Sequence, residues 1–175
     1  MKHTVQTSVT SQLCLQPEPL TAEAFAPYGD VIETAERDYF LINQDYTRRY
    51  HRLADVDTDS EGAGIISIFR AHVYPRPLQI NMMEKHPLGS QAFIPLNQQA
   101  FLVVVALPGD DVTPNDLKAF ITNGAQGVNY HKGTWHYPVI ALNDGDEFLI
   151  VDRLGSGNNC IEVHFDNEQS PVLLT

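Results

Sequence analysis

The chain has 175 residues with 22 acidic against 11 basic side chains, a formal net charge of −11, which argues against a protein that spreads over a phosphate backbone or an anionic membrane. A composition of 43% hydrophobic and 19% charged residues excludes wholesale disorder and fibres. The length suits one compact body, either one domain or two small β-halves sharing a core.

The first residues, MKHTVQTSVTSQLCLQPEPL, interleave Thr, Ser and Gln with apolar positions, so no signal-peptide h-region is expected. Residues 1–19 are assigned to an N-terminal extension and residues 20–175 to a single domain. Residues 20–28 read as a short helix, with Thr21 as N-cap and Pro27 and Gly29 as the stop. The helical period then disappears. Short β-branched and aromatic segments follow at residues 65–70, 78–86, 92–96, 101–107, 119–122, 135–142, 147–153 and 160–165. Turn signals separate them at the spacing of an all-β sandwich or barrel. ThrProAsnAspLeu (113–117) predicts one helical turn opened by Pro114, and Asn143, Asp144, Gly145 and Asp146 predict a hairpin between two antiparallel strands. No alternation of strands and long helices is present, which disfavours a nucleotide-binding doubly wound sheet and any nucleotide cofactor. The polar stretch 55–62 reads as a surface loop. The longest clear apolar run, residues 100–107, falls short of the ~20 residues that span a bilayer. Cys14 and Cys160 have no metal or redox spacing. Two plain thiols and no leader predict a cytoplasmic location.

Asp55, Asp57 and Asp59 occupy alternate places of a calcium-type loop, but Ser60 stands where glycine is needed and Ile66 where glutamate is needed. A solvated acidic loop is the better reading. No phosphate loop, nucleophile elbow or paired CysxxCys occurs.

Residues 80–86 carry more chemistry. In a strand, Ile80, Met82, Glu84 and His86 share one face, which places a carboxylate and an imidazole in an apolar row. Burying that carboxylate costs several kcal/mol unless a metal ion or proton relay compensates it; a strand end emerging into water is the bland alternative. Gln91 follows His86 by five places. This spacing resembles the first cupin motif, in which two alternate histidines precede a glutamate. The segment from Asn129 to Pro138 resembles the second, with Gly133 making the turn, His136 entering the strand and His131 standing where proline is usual. A solvated loop histidine and a core aromatic remain the alternatives for His131 and Trp135.

Longer strings carry a closer resemblance: ISIFRA (66–71), MEKHPLGSQAFIP (83–95), FLVVVA (101–106), AFITNG (119–124), QGVNYHKGTWH (126–136) and FLIVDR (148–153). In order, from about Leu20 to Cys160, they resemble ureidoglycolate lyase, also called ureidoglycolate hydrolase, of allantoin degradation in purine nitrogen catabolism. The departures are Lys85, Lys132 and Tyr137, where Arg, Arg and His are expected. Both lysines keep the charge but lose the bidentate fork.

The resemblance implies a mainly β, cupin-like double-stranded β-helix (jelly-roll) barrel with a few short helices. It also implies cleavage of (S)-ureidoglycolate to glyoxylate and urea, a divalent metal of nickel or manganese type, and a homodimer; the acidic charge and the short apolar runs predict no nucleic-acid or membrane partner. Glu84, His86, Gln91 and His136 are the expected metal ligands. Glu84, His131 and His136 are the expected catalytic groups, with His131 or a hydroxide held by the metal as proton shuttle. Substrate contacts are assigned to Arg70, Lys85, Lys132 and Trp135, with the planar fork of Arg70 as carboxylate clamp. A structural pair with Asp152 or another acid is the alternative for Arg70 and Arg153. Another cupin enzyme, such as an epimerase or oxygenase, and a noncatalytic small-acid binder are the alternative functions.

Overall fold

A computed structural model describes residues 12–175; the first eleven residues of the proposed extension lie outside the described residues. In chain order the strands are β1 Cys14–Leu15, β2 Glu18–Pro19, β3 Gly29–Ile32, β4 Phe40–Ile42, β5 Thr47–Arg49, β6 Gly62–Ala71, β7 Leu78–Gln79, β8 Met82–Lys85 and β9 Gln91–Pro95. They continue as β10 Phe101–Ala106, β11 Lys118–Ile121, β12 Gly127–Tyr130, β13 Trp135–His136, β14 Ile140–Ala141, β15 Asp146–Gly155, β16 Ile161–His164 and β17 Val172–Leu173. A seven-stranded sheet, β16-β8-β13-β10-β11-β2 with β14 also on β10, faces a five-stranded sheet, β3-β12-β9-β15-β6. The result is the expected jelly roll, built from two facing sheets. A third sheet, β1-β17-β7, covers the outside of the first.

Strand β10 explains why its sequence is a continuous apolar run. Phe101, Val103 and Val105 enter the core between the two large sheets with Phe93, Val128, Phe148 and Ile150. Leu102, Val104 and Ala106 enter a second core on the other face with Met83, Trp135 and Ile140. A strand buried on both faces has no polar side, so alternation vanishes.

The helix is one turn, α1 Ala22–Phe25, shorter than predicted, although Thr21 is its N-cap and accepts from the Ala24 N–H at 3.2 Å. Pro114–Asp116 forms the predicted single turn, of 3-10 type, with the Asp116 carboxylate accepting from the Thr113 N–H. Residues 143–146 do form a turn, but not the predicted hairpin. It carries the chain from β14, paired with β10, to β15, paired with β6 and β9 in the facing sheet. Strand 78–86 is likewise divided, because Ile80 bonds through its N–H to the Pro171 carbonyl as the chain changes sheets. Ile80 therefore lies in the outer core and does not share the face of Glu84.

The loop 55–62 is fastened to β15 by Arg153, which donates to the Thr58 carbonyl at 2.9 Å and pairs with Asp59 at 3.1 Å. Arg153 is thus a structural strap, with Asp59 rather than Asp152 as its acid. Among the described residues no helix is long and apolar enough to cross a membrane.

Candidate active site

Alternation along two paired strands builds the site. His136 on β13 stands directly opposite Glu84 on β8, so both side chains emerge on the face toward the five-stranded sheet. Their Nε2 and Oε1 atoms are 3.4 Å apart. His86 follows the end of β8, its ring centroid 5.0 Å from that of His136. Gln91 opens β9 in the facing sheet, and its Oε1 lies 3.2 Å from His86 Nε2. One ligand atom each of Glu84, His86 and His136 falls within 4.8 Å of the others. The turn that delivers His136 needs Gly133: its φ is +81, a left-handed conformation that side-chain-bearing residues rarely adopt, and its N–H donates to the His86 carbonyl at 2.9 Å.

The two imidazoles are oriented alike. His86 Nδ1 lies 2.6 Å from the Asn159 carbonyl, and His136 Nδ1 lies 3.0 Å from the Thr134 carbonyl. A carbonyl only accepts, so each Nδ1 carries a proton, and in the neutral ring each Nε2 turns a lone pair toward the cluster. His136 Nε2 is buried and, despite its closeness to Glu84, has no aligned hydrogen-bond partner. Tyr130 stacks on the His136 ring at 4.4 Å with the planes 14° apart. Burial, reinforced by the Glu84 charge, pushes the Tyr130 hydroxyl far above its usual range and keeps it neutral. For Glu84 itself burial acts upward, but the adjacent His136, with His86 and the Cys160 thiol, outweighs it and holds the carboxyl below its ordinary value. Glu84 is therefore a carboxylate.

A cavity of about 680 Å³ leads to this cluster, with Glu84, Gln91 and Phe93 in its wall and Arg70, His72 and Tyr74 among its other lining residues. Arg70 forks onto Glu147, its partner across β6 and β15, at 2.6 and 2.9 Å, yet remains largely exposed. On the other side of Gln91 a smaller pocket of about 290 Å³ includes His86, Asp152, Asn159 and Cys160 in its lining.

Four predicted contacts are not brought to the cluster. Lys85 and Trp135 are the strand neighbours of Glu84 and His136, and alternation sends them to the opposite face of the sheet. There the Lys85 ammonium sits 4.4 Å from the Trp135 ring centroid, and both donate to the Gly109 carbonyl. The structure thus places both on the outer-core side of the sheet, away from the Glu84–His136 face. His131 and Lys132 line a separate pocket of about 310 Å³, where they pair with Asp30 at 3.0 Å and Asp57 at 3.1 Å. The structure therefore does not bring the expected proton shuttle and substrate contact to the cluster of Glu84, His86 and His136. The loop containing them links β12 in the five-stranded sheet to β13 in the seven-stranded one.

Neither Tyr130 nor Tyr74 is singled out from the sequence as a site residue, and Asp152 only as an ion-pair partner for Arg70 or Arg153. For Asp152 a signal was present: Phe148, Ile150 and Asp152 alternate along β15, and the first two are core residues, so the third faces inward with them.

Two imidazoles, a carboxylate and an amide converging inside an apolar jelly roll have the make-up of a cupin-type small-molecule site and mark the candidate centre. The ureidoglycolate lyase family model matches residues 12–172, and the chain belongs to that family. It is 60% identical to a ureidoglycolate lyase of Pseudomonas aeruginosa (strain UCBPP-PA14) over 91% of this chain and 95% of the relative. It is 59% identical to that of Stutzerimonas stutzeri over 89% of this chain and 92% of the relative, and 56% identical to that of Azotobacter vinelandii over 91% and 96%.

Proposed function

We propose that this chain cleaves (S)-ureidoglycolate to glyoxylate and urea at the Glu84–His86–His136 cluster. The observation that carries the site assignment is the pairing of Glu84 with His136 across β8 and β13, at the end of a cavity that Arg70 also lines. The guanidinium fork of Arg70 turns from Glu147 to take the substrate carboxylate. Glu84 accepts the hydroxyl proton at one carboxylate oxygen, the hydroxyl electrons become the new carbonyl bond, and the carbon–nitrogen bond breaks with its electron pair moving to nitrogen. The same oxygen then delivers the proton to that nitrogen, so the reaction has no net proton change. Tyr74 lines the cavity; burial, with Glu84 second, raises its hydroxyl, and the protonated phenol orients the departing ureido group.

The donor set fits a divalent metal ion. Two imidazoles held by backbone carbonyls on Nδ1, with Nε2 turned to the cluster and that of His136 a buried orphan, are disposed as metal-ligating histidines are. His86 Nε2, His136 Nε2, Gln91 Oε1 and the second oxygen of Glu84 would hold it. When bound, an ion of nickel or manganese type supplies a Lewis acid that polarises the substrate hydroxyl.

Urea and glyoxylate release from (S)-ureidoglycolate, measured before and after chelation with metal analysis, tests both halves. The expected result is turnover that is lost in a metal-free preparation and restored by nickel or manganese. Full activity without metal removes the metal half, and no urea in either state removes the substrate.

The edge strand β6 supports a homodimer. Ten residues long and, among the described residues, paired on one side only, it leaves Ile66 and Ile68 73% and 60% exposed, and an open apolar edge of that length invites pairing with a second copy. Sedimentation equilibrium is expected to give twice the chain mass; a monomer at assay concentration overturns this. Two exposed free thiols, Cys14 and Cys160, support a reducing, cytoplasmic location.

A further inference from the structure

Gln91 occupies the place where a cupin centre carries an anionic carboxylate, and an amide differs from a carboxylate in having two unlike ends. One end donates and the other accepts, and a flip of the group exchanges them at almost no steric cost. Something must therefore decide which end faces His86. In this chain the Gln91 Oε1 lies 3.2 Å from His86 Nε2, while its Nε2 donates to Asp152 Oδ2 at 3.4 Å.

Asp152 is placed for that role by β15. It is the inward successor of Phe148 and Ile150. Its Oδ1 is buried and has no hydrogen-bond partner among the described residues. Among the described residues no arginine or lysine pairs with it, because the adjacent Arg153 is turned to Thr58, Asp59 and Ser156. A carboxylate oxygen buried without a partner is costly unless a nearby positive charge offsets it.

We infer that Asp152 is the positioning residue of the centre: it locks the Gln91 amide with its oxygen toward His86 and supplies the negative charge that the neutral amide lacks. An ionised carboxylate is acceptor-only, so the Gln91 NH₂ is the end it holds, and the reverse orientation would set two oxygens against each other. The consequence lies at the far end of Gln91. His86 Nδ1 is committed to the Asn159 carbonyl, so the lone pairs of His86 Nε2 and Gln91 Oε1 converge. Two converging lone pairs are the arrangement of two ligands to one cation. Asp152 touches neither substrate nor ion and acts only through Gln91. The inference rests on the reading of this cluster as the reaction centre.

The test is a mutant cycle between Asp152→Asn and Gln91→Glu, read as kcat/KM for urea release, as Mn²⁺ affinity and as the melting midpoint. The amide introduced by D152N can accept from one orientation of Gln91 or donate to the other, so it no longer chooses between them. In the Gln91 background D152N is therefore expected to lower kcat/KM and Mn²⁺ affinity by about 10- to 100-fold, with the melting midpoint close to wild type. A glutamate at position 91 has no orientation to choose and is repelled by Asp152, so in the Q91E background D152N is expected to cause no further loss, or a gain. Equal losses in both backgrounds overturn the inference, because a merely structural aspartate costs the same whatever stands at position 91. Asp152→Ser, which removes the carboxylate with less bulk, repeats the cycle if D152N fails to fold. Failure of the wild type to bind Mn²⁺ removes the metal and the charge-supply half of the inference, while the kinetic cycle still decides the coupling of Asp152 to Gln91.

Discussion

Glu84→Gln is expected to reduce kcat for urea release by about 10²- to 10⁴-fold, the range typical of losing a positioned proton-transfer group, while leaving the melting midpoint near that of the wild type. The substitution is isosteric, and the amide still accepts hydrogen bonds, so the β8–β13 pairing of Glu84 with His136 is retained. What it removes is a carboxylate held ionised below its ordinary range by the imidazoles beside it. His131→Ala supplies the contrast. His131 pairs with Asp30 in a different pocket, and its removal is expected to change kcat by no more than a few-fold. Steady-state kinetics on the two variants separate a centre at Glu84 and His136 from one that recruits the loop histidine. A loss for His131→Ala comparable to that for Glu84→Gln would sink the placement.

Trp135→Ala is expected to have the largest effect on stability, about 3–5 kcal/mol for removing a buried aromatic, or a fall on the order of 10 °C in melting midpoint for a domain of this size. Trp135 is fully buried, packs in the outer core with Met83, Val104 and Ile140, donates to the Gly109 carbonyl at 3.1 Å and carries the Lys85 ammonium over its ring. Trp135→Phe, which keeps most of the volume and loses the hydrogen bond, should cost less. Since none of these contacts reaches the Glu84 cavity, the folded fraction of Trp135→Phe is expected to retain the wild-type KM. Calorimetry and kinetics on the same preparation check both points, and a raised KM without loss of stability would restore Trp135 to the substrate site.

The residues that read well in the sequence are those whose message is local. Thr21 is an N-cap because its side chain reaches an N–H three residues on, and Gly133 is a turn because its φ is positive. The strings around Glu84 and His136 carry enough unusual residues in order to identify the family before any coordinates. Readings that failed depended on partners. The turn at residues 143–146 looks identical whether the flanking strands pair with each other or with strands of two different sheets. Strand 78–86 alternates on paper, yet Ile80 is claimed by the carbonyl of Pro171. The hairpin β4–β5, residues 40–49, has three-residue strands whose side chains are mostly exposed, so its pattern carries no burial signal.

For the site, a similar division holds and has one physical cause. Strand alternation is a covalent property of extended backbone, so the sequence alone establishes that Glu84 and Lys85, or His136 and Trp135, point to opposite sides. It also places Asp152 with Phe148 and Ile150. Which side faces the cavity depends on which sheet lies across from each face, and that is set by pairings as distant in sequence as β8 with β13 and β16. Only the folded sheets therefore separate Glu84 and His136 from their strand neighbours, leave His131 and Lys132 with Asp30 and Asp57, and bring Asp152 to Gln91 across 61 positions of chain.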